Sequence, residues 1–382
     1  MASIAAWAQP RTTPAPDQIV LPASVHAQGN AASSLRDVER EWRKNRNDLP
    51  AALAYARAVF LLGLTEGDLR WYGSAKAALQ PWWNAATLPA DGHFLRALVK
   101  QGFHDFKGGI DDLSAAIAID PTQAEYWSWR FSLQLLTANM AAARADCDAI
   151  AQRFGADEGQ ACAATLLYRT GKAAQAIPMF NRLVELPDYQ GLSSQDWLRY
   201  HQGEAYRVAG QTAQAIAVWE KHLQARPTSH LVRLTLTELL NQQGQYAKAK
   251  RMADSTSPTD ALLVQALLAS RGLKDGDTQR LAEQFESRMN NQALRGESLI
   301  ERPTMVYLIT YGRDNAQGLK LAAENWRTQH EPADAVLLVQ AALKANQPKL
   351  AEPVLAWMAT TGYTDPVLKA LADDLQTRLG KS

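Results

Sequence analysis

Residues 196–227 read DWLRYHQGEAYRVAGQTAQAIAVWEKHLQARP. Apolar residues recur there at helical spacing, which predicts two amphipathic helices with Gly210 in the turn between them. Gly203 falls in the middle of the first helix, where a bulkier side chain would push a partner helix away, and Tyr206 follows one turn later. On the second helix Ala215 is the small contact and Trp219, four residues on, the large one. Pro227 ends the pair.

The unit recurs. Small residues equivalent to Ala215 stand at Ala75, Gly109, Ala143, Ala176, Ala249, Ala282, Gly318 and Ala351, mostly 33 to 36 residues apart. One interval is 39 residues, because the segment 185–194 (ELPDYQGLSS) lengthens a connection. Four residues further along each unit most positions are apolar, among them Leu79, Leu113, Phe180, Trp219 and Leu355. Glu286 breaks this second series. Small residue, aromatic, turn glycine, alanine, aromatic and terminal proline, repeated near 34 residues, resemble the tetratricopeptide repeat (TPR). The resemblance runs from about Leu49 to the C-terminus, regular over 90–253 and degenerate over 254–362. It implies an all-α, right-handed α-solenoid of about nine helix pairs in which each pair buries its apolar face against the next.

Composition agrees. Forty basic and 39 acidic residues leave the 382-residue chain near neutral, without the basic excess that a nucleic-acid partner calls for. No apolar run of about 18 residues is present, so no transmembrane helix is expected. Residues 1–32 read as a Pro-rich leader and linker, and 33–382 as the solenoid. Within the leader, Ala6-Trp7-Ala8 has the form of a signal-peptidase site, without the basic and apolar stretches that should precede it. Two readings stay open: a remnant (1–8) of a longer exported precursor, or a tail rich in alanine. Residues 33–46 predict a short charged helix started by Ser33 or Ser34 and covering the first unit, and 366–379 a final polar capping helix. Pro81-Trp82-Trp83, Leu95-Arg96-Ala97 and His104-Asp105-Phe106 resemble a set of uncharacterised, apparently exported bacterial TPR proteins. That resemblance implies a periplasmic or secreted location, with the cytoplasm as the alternative, and no catalytic residue.

In the TPR family the first helix of each pair lines a concave face. The resemblance places Phe94, Gln101, Tyr168, Tyr200, Glu204, Arg207, Glu238 and Asn241 on it, with Trp197 and Arg169 beside them. This makes a polar groove with aromatic islands, suited to a peptide segment or partner protein. Acidic Glu204 and Glu238 are mixed with basic Arg169 and Arg207, so no purely cationic clamp is written there. The competing reading makes the aromatics core; it holds for Trp127, Phe180 and Trp219. Cys147 and Cys162 fall on adjacent helices, which leaves a disulfide and two buried thiols both open. The histidines lack metal-ligand spacing, and no nucleophile elbow, phosphate loop or dinucleotide fingerprint occurs. Asp111-Asp112 and Asp373-Asp374 read as solvated faces. The sequence therefore predicts a non-enzymatic scaffold without metal or cofactor, with a glycan-recognising or envelope-assembly solenoid as the alternative.

Overall fold

A computed structural model describes residues 30–66, 70–186, 195–254, 259–294 and 301–380. Residues 1–29 of the leader and most of the segment that lengthens one connection lie outside the described residues, and residues 30–32, read as linker, are helical. Twenty α-helices and no strand are found among the described residues. Helix α1 (Asn30–Lys44) begins ahead of Ser33 and Ser34, so neither starts it. It lies on the first unit through Trp42, stacked on Tyr55 with ring centroids 4.7 Å apart.

Seven units follow as helix pairs: α2 (Leu49–Glu66) with α3 (Arg70–Leu79), α4 (Ala90–Gly102) with α5 (Phe106–Ile119), α6 (Ala124–Leu136) with α7 (Met140–Phe154), α8 (Ala156–Arg169) with α9 (Ala173–Leu183), α10 (Gln195–Val208) with α11 (Thr212–Ala225), α12 (His230–Gln242) with α13 (Tyr246–Ala253), and α14 (Asp260–Leu273) with α15 (Thr278–Leu294). The eighth begins with α16 (Arg302–Met305), which runs on as a π-helical turn, Val306–Tyr311, before α17 (Asn315–Asn325). The ninth pairs α18 (Pro332–Lys344) with α19 (Glu352–Thr361), and α20 (Pro366–Leu379) closes the chain. From α1 to α15 each helix packs on its sequence neighbour, and first helices of successive units also touch: α2 on α4, α8 on α10, α10 on α12, α12 on α14.

The repeat shows in the backbone. Units two to nine each turn through one residue at positive φ: His104, Ala138, Gly171, Gly210, Gly244, Lys274, Gly312 and Asn346. This left-handed residue reverses the chain in few residues and is cheapest for glycine or asparagine. Packing within a unit is equally regular. A methyl group on Gly203 would overlap the Trp219 indole, whose Nε1–H donates to the carbonyls of Arg199 (3.1 Å) and Tyr200 (3.3 Å). Close approach of α10 and α11 thus demands the missing side chain.

A second periodic device is ionic. Arg96 on α4 grips Asp112 on α5 through Nε (2.8 Å) and Nη2 (2.6 Å). One repeat later Arg130 on α6 grips Asp146 on α7 through Nη2 at 2.6 Å. The Asp112 side chain is only 6% exposed and also meets Lys100 (2.9 Å) and His93 (2.8 Å). Arg96 Nη1 donates to the carbonyls of Trp82, Trp83 and Ala85, tying the preceding turn to this pair. Asp112 is therefore not on a solvated face: a buried guanidinium needs a counter-charge and selects it. Asp111, Asp373 and Asp374 are exposed and pair with Lys107, Lys369 and Arg378 on their own helices. Glu286, which interrupts the apolar series, accepts from the Tyr307 hydroxyl at 2.5 Å and pairs with Arg313 at 2.8 Å.

The last units do not trail away from the first. The His330 N–H donates to the Leu136 carbonyl at 2.8 Å. A methyl group on Gly171, in the α8–α9 turn, would overlap the carbonyl of Gly362, and one on Gly362 would crowd the carbonyl of Thr170; both glycines are at positive φ. Pro366 sits against Gly210 in the α10–α11 turn. The start of α20 thus lands on an earlier turn, and its Leu368, Ala372 and Leu375 are buried, so this helix does more than cover an open end. One apolar core joins Tyr168, Phe180 and Val208 to Leu338, Tyr363 and Leu368. The solenoid winds far enough for its ninth unit to rest on the turns of its third, fourth and fifth.

Candidate functional site

That return contact adds a further wall to the inner face. The first helices surround a deep, partly open chamber of about 2140 Å³, lined from α2 to α20. Tyr168, Arg169, Tyr200, Glu204, Arg207, Glu238 and Asn241 all line it. Phe94 does not: it is fully buried, with its ring 4.7 Å from Tyr126 and under the Arg57 guanidinium. Its register points inward, but the next unit's α6 covers it. Gln101 and Trp197 face a smaller pocket of about 220 Å³ alongside Trp129, Tyr200 and His201.

The wall opposite α8 and α10 is made by residues that the repeat pattern does not single out. Glu331 accepts from Arg169 Nη1 at 3.1 and 3.2 Å. Arg207 gives its Nε and Nη2 protons to the two Glu204 oxygens, each at 2.9 Å, and its Nη1 proton to Asp365 at 3.3 Å. Asp365 also accepts from the Tyr363 hydroxyl at 2.8 Å and caps α20 through the N–H groups of Val367 and Leu368. Arg302 holds Asp334 at 3.1 Å, and Gln329 donates to the same carboxylate at 2.7 Å.

Burial moves the titrating groups of the chamber and of the smaller pocket beside it. Burial alone would lower the pKa of Arg169 and Arg207, but Glu331 in one case and Glu204 in the other more than offset it, and both lie above the ordinary arginine value. Burial pushes His201 down to about 3, helped by Arg169, so its ring is neutral; its Nδ1 and the Tyr168 hydroxyl share a 2.6 Å hydrogen bond. Glu238 is pushed up to about 7, first by burial and then by the charge of Glu204, against the pull of Arg302 and Arg207.

The family model for the tetratricopeptide repeat matches residues 208–270, from the end of α10 into α14. The recurrence of turns and pairs near 34 residues extends the same unit over the rest of the described chain. The chain carries tetratricopeptide repeats. Two solved TPR-like folds resemble it over most of their length. The Cut9–Hcn1 hetero-tetramer of the APC/C is 12% identical, with 93% of this chain and 70% of that one covered at a TM-score of 0.54. A Rap protein complexed with competence and sporulation factor is 13% identical, with 91% and 94% covered at a TM-score of 0.51. At these identities the likeness is one of fold. A comparison with curated protein sequences finds no match. Among the described residues no TPR helix is long and apolar enough to cross a membrane.

The residues that sequence reasoning missed are Arg302, Glu331, Asp334, Tyr363 and Asp365. All belong to the degenerate units or the segment after them.

Proposed function

We propose that this chain is a non-enzymatic binding scaffold whose interior chamber takes an extended segment of a partner protein. One observation carries the reading: the inner positions of successive first helices, Tyr168, Tyr200, Glu204, Arg207, Glu238 and Asn241, converge on one cavity of about 2140 Å³. It is larger than the roughly 300–1,000 Å³ of ordinary small-molecule sites and mixes aromatic walls with polar groups, as an extended peptide requires. The Rap protein of similar fold was solved complexed with competence and sporulation factor, which supports a partner-holding role for a chain of this fold.

We further propose that the protein works in an oxidising compartment such as a bacterial envelope. Cys147 and Cys162 form a disulfide between α7 and α8, with Cα atoms 5.6 Å apart. Such bridges persist outside the reducing cytosol.

The test is selection of binding peptides from a random library against the intact chain, followed by filling of the chamber. Leu234→Trp and Gln340→Trp add bulk to two partly exposed lining positions. Peptide affinity should fall at least tenfold in each while the helical circular dichroism signal is kept. Undiminished binding to both filled variants would place the partner surface elsewhere.

A further inference from the structure

The ion pairs of the chamber do not balance. Arg169 is taken by Glu331, Arg207 by Glu204 and Asp365, and Arg302 by Asp334. Every guanidinium of this cluster has a carboxylate, and Glu238 is left over. Among the described residues it makes no hydrogen bond and no salt bridge, although it lines the chamber. Asn241, three residues further along the same face of α12, commits its Nδ2 to the backbone and side-chain oxygens of Gln265, each at 2.9 Å. Its Oδ1 is buried with no donor. Two neighbouring residues of the lining therefore hold acceptors with nothing to accept, the Asn241 oxygen just beneath the surface. A third residue of the lining, Asn325, is 2% exposed, and neither its Nδ2 nor its Oδ1 is bonded.

Arg169 keeps its Nε and Nη2 buried and unbonded, yet five carboxylates (Glu204, Glu238, Glu331, Asp334 and Asp365) against three guanidinium groups oppose an anion in this cluster. A protonated amine or a guanidinium brings both things that are missing: positive charge for Glu238, and several N–H donors for Glu238 and Asn241 together. We infer that the chamber recognises a cationic group of its occupant, a lysine, arginine or amino terminus of the partner segment, on Glu238 and Asn241. This rests on the reading of the chamber as the seat of a partner segment, and it adds the sign of the charge that segment carries.

The groups facing Glu238 are Glu204 and Arg207 from α10, Arg302 from α16 and Asp334 from α18. With burial they hold the empty carboxyl near neutrality, at about 7. It is mostly protonated at pH 6 and mostly ionised at pH 8, so cation binding should strengthen about tenfold between them.

The experiment titrates the intact chain at low ionic strength with N-acetyl tetralysine amide, and in parallel with N-acetyl tetraglutamate amide, at pH 6 and pH 8. Tetralysine should bind about tenfold more tightly at pH 8. Glu238→Gln, which keeps the shape and removes the charge, should weaken binding at pH 8 at least tenfold and flatten the pH profile. Asn241→Asp adds a carboxylate at the same place and should tighten tetralysine severalfold, so the inference stays testable if the first variant folds poorly. Binding of tetralysine that ignores pH and both substitutions, or no binding at all, overturns it. Tetraglutamate binding that Leu234→Trp abolishes would overturn the cation assignment and leave the chamber as the binding place. Loss of both peptides, with library peptides indifferent to the filled variants, would remove both readings.

Discussion

Replacing Trp219 with alanine is expected to lower the unfolding free energy by about 3–5 kcal/mol. The indole is fully buried between α10 and α11, against the bare backbone at Gly203, and its N–H is bonded to two α10 carbonyls. Removal opens a hole that the two helices cannot close, because their spacing is also set by Ala205 and Ala215, which are equally buried. Gly203→Ala attacks the same contact from the other side and should cost about 1–3 kcal/mol by overpacking. The double variant should be less unstable than the sum of the two, because the added methyl enters the space the indole leaves. Urea unfolding followed by circular dichroism measures all three. Strict additivity, or a Trp219→Ala cost below about 1 kcal/mol, would mean that the helix pair is not held at this point.

Asp112→Ala should be as damaging, at about 3–5 kcal/mol, for an electrostatic reason. The substitution leaves Arg96 and Lys100 facing each other in a buried site, with no counter-charge. Burial works to raise the pKa of Asp112, but hydrogen bonds from Arg96, His93 and Lys100 outweigh it and hold the carboxyl below its ordinary value. A carboxyl depressed on folding contributes stability that is present above its unfolded pKa and lost as pH falls through the folded one. The wild-type chain should therefore lose this contribution only below the usual aspartate range. Asp112→Ala should lack it at neutral pH and show a shallower acid limb. The readout is the urea midpoint of both proteins from pH 7 down to pH 3; parallel curves would refute the role given to the pair.

These two sites show what was legible in the chain. Gly203 and Trp219 could be read directly, because a small residue and a large one at fixed offsets state a packing requirement by themselves. Asp112 was misread as a surface group. Its partner Arg96 lies 16 residues away, beyond any helical spacing, although the same pair recurs at Arg130 and Asp146 one repeat later. The inner face was readable for α10 and α12, where the register of Tyr200, Glu204, Arg207, Glu238 and Asn241 carries into the chamber wall. It failed at Phe94, because the register says which way a side chain points and not what packs over it. Nothing local could foretell that Glu331 would reach Arg169, 162 residues away, or that Asp365 would reach Arg207. Such contacts follow from the accumulated rotation of all the units, and small angular differences per unit decide whether the ends meet.

That meeting of the ends makes the chamber, and it can be measured directly. Lys172 and Thr360 are exposed and stand beside Gly171 and Gly362, the two glycines in contact where the ninth unit rests on the fourth. With both replaced by cysteine and spin-labelled, and the Cys147–Cys162 bridge kept, pulsed electron resonance should give one narrow distance distribution. It should be centred at or below about 20 Å, the width of two packed helices. A broad distribution centred well beyond that value would mean that the solenoid stays open and that no chamber exists.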